Sequence, residues 1–124
     1  MIISFARTTP ALLAGAKTVT RRDWKASHAA HFKAGTFVDA WDRSPRNGGK
    51  KVADIYITVN PYQELTSEAP EEDWHAEGFG WMTKNGLELH HKGVAPWMLW
   101  ESWKKAPVLL WVVRFRLVGV ENVS

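Results

Sequence analysis

The ten residues from Leu13 to Arg22, LAGAKTVTRR, constrain the fold more than any other stretch, because a helix must end and an extended segment begin within them. Thr9-Pro10, a cap residue followed by proline at the first helical position, opens a helix predicted over residues 10–14, and Gly15 is its stop. Thr18, Val19 and Thr20 favour extended backbone, so a strand is predicted from Lys17 to Arg22, with Lys17 in the turn and Thr20 on the strand proper. On a regular strand an odd separation puts two side chains on opposite faces. Lys17 and Thr20 therefore converge only if the turn or a bulge re-aims one of them. By type alone these residues fit better a surface lysine, a half-buried threonine and arginines facing solvent.

Other segments supply the remaining elements. Residues 2–5 read as a first strand, residues 36–41 and 51–59 as a hairpin joined across Gly48-Gly49, and residues 108–118 as the last strand, entered through Pro107. A polar connection runs from Asp23 to Gly35. Residues 64–78 read as a turn and helix, with Ser67 or Glu68 near its start, Pro70 in the first turn and Gly78 as its stop. Residues 96–105 read as a second helix whose Trp97, Met98, Leu99, Trp100 and Trp103 fall at helical spacing and are expected to pack it on the barrel. Short strands with peripheral helices imply an α+β fold dominated by a curved sheet. Its expected core is Ile3, Phe5, Val19, Phe37, Val38, Ile55, Ile57, Leu110, Val112 and Phe115.

At 124 residues the chain, 1–124, is expected to be a single domain. There is no secretory leader pattern and no apolar run long enough to cross a bilayer, so a soluble cytoplasmic protein without membrane partners is expected. The absence of cysteine removes disulfides, thiol nucleophiles and thiolate metal sites. The net charge of +3 is unevenly spread. Cations gather at Arg21, Arg22, Lys25, His28, His31 and Lys33, and again at Arg43, Arg46, Lys50 and Lys51 around the Gly48-Gly49 turn, whereas acids concentrate from Glu64 to Glu77. Such a separation suits a phosphate-bearing ligand or RNA, and equally an ordinary solvated surface.

The segment around Lys17 also resembles the signature of the ASCH domain, a branch of the PUA-like superfamily. Phe5, Arg7, Leu13, Ala14, Gly15, Lys17, Thr18, Thr20, Arg22 and Asp23 fall, without a gap, where small bacterial ASCH proteins carry the same or similar residues. His31-Phe32-Lys33-Ala34-Gly35 resembles the family's approach to its next strand, and Ala76-Glu77-Gly78-Phe79 its helix-borne acidic motif. The resemblance implies a small PUA-like β-barrel with peripheral helices and a ligand cleft between barrel and helices. It also implies that Lys17, Thr20 and Glu77 match the catalytic lysine, threonine and glutamate of the N4-acetylcytidine amidohydrolases in that family. The substrate would be a modified nucleoside or base, with RNA the alternative partner. The longer connection from Asp23 to His31 and the tryptophan-rich 96–105 helix depart from a minimal member of that group.

That trio suits amide hydrolysis. A threonine hydroxyl attacks only when a base takes its proton, and a lysine is such a base only when neutral, which requires its pKa to fall from about 10.4 through burial or a nearby cation such as Arg22. Two mechanisms follow. In one, Lys17 activates Thr20, and Glu77 helps protonate the departing cytosine N4. In the other, Glu77 activates water while Thr20 and a protonated Lys17 stabilise the oxyanion. Arg22 would hydrogen-bond a pyrimidine carbonyl or simply pair with Asp23 or another acid, and Phe5 and Trp24 are candidates to stack on a base, although Phe5 also suits the core. Arg21, Arg43, Arg46, Lys50 and Lys51 are the candidate nucleic-acid contacts of an alternative reading as an RNA-binding module or ribonuclease. Most of the eight tryptophans are expected to be packing anchors, with Trp81 and Trp97 candidates for a cleft edge. The five histidines, among them His28, His31 and the His90-His91 pair, lack the spacing of a zinc site, so neither metal nor cofactor is expected, and the chain is expected to be monomeric.

Overall fold

The computed structural model of the chain describes residues 1–89 and 93–121. His90 and His91 lie outside the described residues. The strands are β1 (Ile2–Ser4), β2 (Val19–Arg22), β3 (Phe37–Trp41), β4 (Lys51–Ile57), β5 (Tyr62–Leu65) and β6 (Leu109–Val120). The helices are α1 (Thr9–Leu13), α2 (Ala26–Ala29), α3 (Asp73–Ala76), α4 (Phe79–Lys84) and α5 (Pro96–Lys105), with single 3-10 turns at Ala6–Thr8, Pro45–Asn47 and Thr66–Glu68. The strands form one sheet in the order β1-β3-β4-β6-β2, and β5 also pairs with β6. The pair β1 and β3 is parallel, the others antiparallel. The fold is mixed α+β, a strongly curled half-barrel with its helices at the periphery.

The predicted hairpin is β3 and β4, and α5 has the predicted bounds. Proline at the start of α5 removes one of the N–H groups that a first helical turn leaves without a partner, and Pro107 follows its last turn. Several elements differ from expectation. The polar connection holds α2. Residues 64–78 are not one helix: Glu64 and Leu65 finish β5, a 3-10 turn follows, and α3 stops at Ala76 before α4 begins. Lys17 precedes β2, which starts only at Val19.

The curled sheet encloses Ile3, Phe5, Leu12, Phe32, Val38, Ile55, Ile57, Val113 and Phe115. A second cluster, Ala11, Phe79, Met82 and Leu89, packs with Trp74, Trp81, Leu99, Trp100 and Trp103 in the helical layer. Phe37, expected inside, is 64% exposed and packs edge-on against Tyr56 on the outer face, ring centroids 5.1 Å apart. Strand alternation explains the correction: Val38 and Ala40 take the inner face, so Phe37 must take the outer one. Adjacent residues of α1 serve different clusters, Leu12 the sheet and Ala11 the helices. This short helix is therefore the wedge between the two layers, and the turn after it opens at their junction.

Candidate active site at the sheet seam

The turn is fixed by backbone bonds. Ala16 and Lys17 N–H groups both donate to Ala11 O, at 3.0 and 3.1 Å, Thr18 N–H donates to Ala76 O at 2.7 Å, and Phe115 N–H donates to Thr18 O at 3.0 Å. Thr18 is thus held between the end of α3 and β6, and the Lys17 side chain is turned inward. Facing it is Glu77, in the junction between α3 and α4. Gly78 makes that approach possible: its φ is +86°, and a Cβ there would lie 2.7 Å from Ala11 Cβ and 3.2 Å from Lys17 Cβ.

Lys17 and Glu77 are each only 2% exposed. Lys17 Nζ donates to Glu77 Oε1 at 2.9 Å and to Glu77 O at 3.0 Å, which leaves one of its three positions unused. Burial pushes the Lys17 amine below its ordinary value. Glu77 opposes that shift, while Arg22 and Arg21 reinforce it. Arg21 NH1 donates to the other carboxylate oxygen, Glu77 Oε2, at 2.6 Å. Its NH2 donates to Asp73 Oδ2 at 2.5 Å and Glu64 Oε1 at 3.0 Å. Asp73 also accepts from Arg114, at 2.9 and 3.1 Å. Burial alone would raise the Asp73 pKa, but Arg114 and Arg21 outweigh it and hold the carboxyl below the usual range.

Thr20 and Arg22 share a side of β2. Arg22 Nε donates to Thr20 Oγ1 at 3.1 Å, and Arg22 NH2 donates to Ser4 O at 2.6 Å, with the guanidinium 5.6 Å from the Phe5 ring centroid. Because β1 and β2 are the two ends of the strand order, this arginine spans the seam of the half-barrel. Among the described residues it makes no ion pair, and the Thr20 hydroxyl donates no hydrogen bond. A cavity of about 180 Å³ opens there. Ser4, Thr8, Lys17, Thr20, Arg21, Arg22 and Glu77 give it polar walls, and Phe5, Phe79, Leu89, Leu99 and Trp103 give it apolar ones.

The structure brings Lys17, Thr20, Glu77, Phe5 and Arg22 together at this cavity, and Phe5 belongs to the core as well. Trp24 is not there. It stacks on Phe32, centroids 4.6 Å apart, and packs against the sheet core, because its segment turns away into α2. Arg21 is not a surface contact for nucleic acid: it is 8% exposed and committed to three carboxylates. Lys51 is also engaged, with Asp39, Asp54 and Glu121 at 3.2, 2.8 and 3.4 Å. Arg43, Arg46 and Lys50 are exposed. Of the tryptophans, Trp103 reaches the cavity, while Trp81 packs in the helical layer and Trp97 is half exposed. Sequence reasoning missed the apolar wall and the acids around Arg21, although the density of acids from Glu64 to Glu77 was their signal. Among the described residues, no group of three His, Asp or Glu side chains is arranged to hold a metal ion, and no helix is long and apolar enough to cross a membrane.

A curled-sheet α+β domain with a buried lysine–glutamate pair at its seam is the class that this geometry defines. In its fold, the chain is similar to the crystal structure of protein EF3133 from Enterococcus faecalis V583, which carries the family-model description DUF984. The TM-score is 0.58 at 17% identity, over 96% of this chain and 74% of that one, and the likeness is one of fold. No family model and no curated protein matches the chain.

Proposed function

We propose that the protein is an ASCH-type amidohydrolase that removes the acyl group from N4-acylated cytosine or cytidine. The observation that carries this reading is the convergence of Lys17, Thr20 and Glu77 on one cavity, with the lysine buried against the glutamate. The arrangement favours the route in which threonine attacks. A lysine whose pKa is lowered by burial can accept the Thr20 proton, and Arg22, donating to Thr20 Oγ1, stabilises the developing alkoxide. Thr20 Oγ1 then bonds the acyl carbon. As the C–N4 bond breaks, the proton taken up by Lys17 passes to N4, with Glu77 holding the ammonium in the interval. Water cleaves the resulting threonyl ester to the carboxylic acid and restores the hydroxyl. Glu77 is poorly placed to activate water instead, since both its oxygens already accept from cations.

Incubation with N4-acetylcytidine, followed by chromatography for cytidine, tests the reading. Thr20→Ala and Lys17→Ala should each lower turnover by at least about a thousandfold, on the order of 4 kcal/mol of transition-state stabilisation. Turnover retained by both variants would sink the assignment.

A second reading, an RNA-binding module, draws on the loop between β3 and β4. Arg43, Arg46 and Lys50 make no ion pair among the described residues, and the loop leaves the sheet at Trp41, the register partner of Ser4 on the cavity wall. Neutralising all three should then weaken oligonucleotide binding and reduce its salt slope by about 3. An unchanged slope counts against it.

A further inference from the structure

The proposed reaction does not use Arg21, yet this arginine is the hub of the buried charges. Its side chain is shut off from solvent beneath the cavity, with Glu77, Asp73 and Glu64 around it and the Trp103 ring 5.8 Å from its guanidinium carbon. Burial of a guanidinium is costly unless its donors are met, and among the described residues NH1 and NH2 meet three carboxylates while the buried Nε meets none. Here the third, Glu77, is the carboxylate that also holds Lys17. The two cations take opposite oxygens of one carboxylate, Lys17 at 2.9 Å on Oε1 and Arg21 at 2.6 Å on Oε2.

We propose that Arg21 is a positioning residue that divides the charge of Glu77 between two cations and so leaves the Lys17 amine able to exchange protons with a ligand. The inference rests on the amidohydrolase reading and deepens it. Without Arg21, the whole charge of Glu77 would fall on Lys17 and fix it as an ammonium, which cannot take the Thr20 proton. With Arg21 in place, the carboxylate is satisfied on one side by a group that stays protonated at any working pH. Arg21 also repels a second positive charge on Lys17. Among the described residues, the charged groups linked to the pair are Arg21 and Arg22 from β2, Glu64 from β5, Asp73 from α3 and Arg114 from β6, the last three reaching it through Arg21. Asp73 and Glu64 hold Arg21 from behind, and Arg114, bonded to Asp73 and to the Tyr62 hydroxyl, anchors Asp73 in turn.

The test is the pH profile of kcat/KM toward N4-acetylcytidine for wild type, Arg21→Gln and Arg21→Lys. A neutral Lys17 makes activity rise with pH. Arg21→Gln should move that rising limb upward by about one pH unit, a loss of about tenfold at pH 7 that is recovered at higher pH. Arg21→Lys, which keeps the charge, should return the limb toward the wild-type position. A purely structural role would lower the rate at every pH without moving the limb, and profiles that superimpose after scaling overturn the proposal.

Arg21→Gln/Glu64→Gln removes one cation and one carboxylate together, so it preserves the net charge of the cluster while still taking the second bond from Glu77. It serves if the single variant does not fold, and the same upward displacement is expected. The Lys17 side-chain nitrogen can also be titrated directly by 15N NMR without substrate. A midpoint that rises in the double variant supports the coupling even if wild type proves inactive on N4-acetylcytidine, in which case only the amidohydrolase reading falls. An unmoved midpoint overturns the coupling whether or not the enzyme is active.

Discussion

Gly78 shows how narrowly a single residue conditions the site. Its positive φ turns the chain between α3 and α4, and its missing Cβ lets the chain at this position lie against Ala11 and Lys17. Gly78→Ala would combine left-handed strain with a clash against Ala11. Together these should cost about 1–3 kcal/mol, seen as a lower denaturant midpoint at constant slope. Cytidine release should fall alongside, because the Lys17 backbone must shift. A variant with an unchanged midpoint would show that the junction relaxes freely. The residue scale also separates two kinds of sequence signal. That Lys17, Thr20 and Glu77 meet at one cavity was expected from the resemblance to ASCH proteins, while their roles remain the proposal made above. The burial of Arg21 was not, because one arginine beside another gives no sign of which one faces three carboxylates.

At the scale of elements, legibility followed the strength of local pattern. The hairpin and α5 could be read because alternation and a proline start are local features. The strand β5 was missed because Tyr62-Gln63-Glu64-Leu65 is short and polar, and its state depends on pairing with Leu109 to Val112, some 45 residues away in the chain. Its loss from the prediction had a consequence at the site, since β5 supplies Glu64 to Arg21. The splitting of the 64–78 segment has a comparable origin. Thr66, buried under α5, donates its hydroxyl to Trp103 O and accepts from Val108 N–H, so tertiary bonds rather than propensity decide that turn. Lys17 and Thr20 reach one cavity because Lys17 leaves the strand altogether, the turn alternative that alternation required.

For the whole molecule, the buried charges tie stability to pH. Asp73 titrates below its ordinary 3.8 in the folded state, so its contribution is present above that value and is lost as pH falls through the depressed one. Lys17, an amine held below 10.5 by burial despite Glu77, works in the same direction from the other end. The unfolded chain binds that proton more tightly, and stability declines as pH falls from 10.5 to the folded value, then levels. Each group gives a slope of up to about 1.4 kcal/mol per pH unit inside its window. Thermal unfolding followed from pH 2 to 7 should show a steep acid limb that Asp73→Asn flattens. An Asp73→Asn curve parallel to wild type would place the acid sensitivity elsewhere.

The order of the strands along the chain also sets when the sheet can close. β6 is the pairing partner of β2, β4 and β5, and it follows all of them in sequence. Val19 must wait for Arg114, and Ala53 for Val120. On the ribosome, β3 and β4 can close as a local hairpin early, but β2 cannot take its place at the seam until Trp111 to Arg114 have cleared the exit tunnel. The earlier strands meanwhile present open edges, so the nascent chain stays exposed to chaperones and to self-association for most of its synthesis.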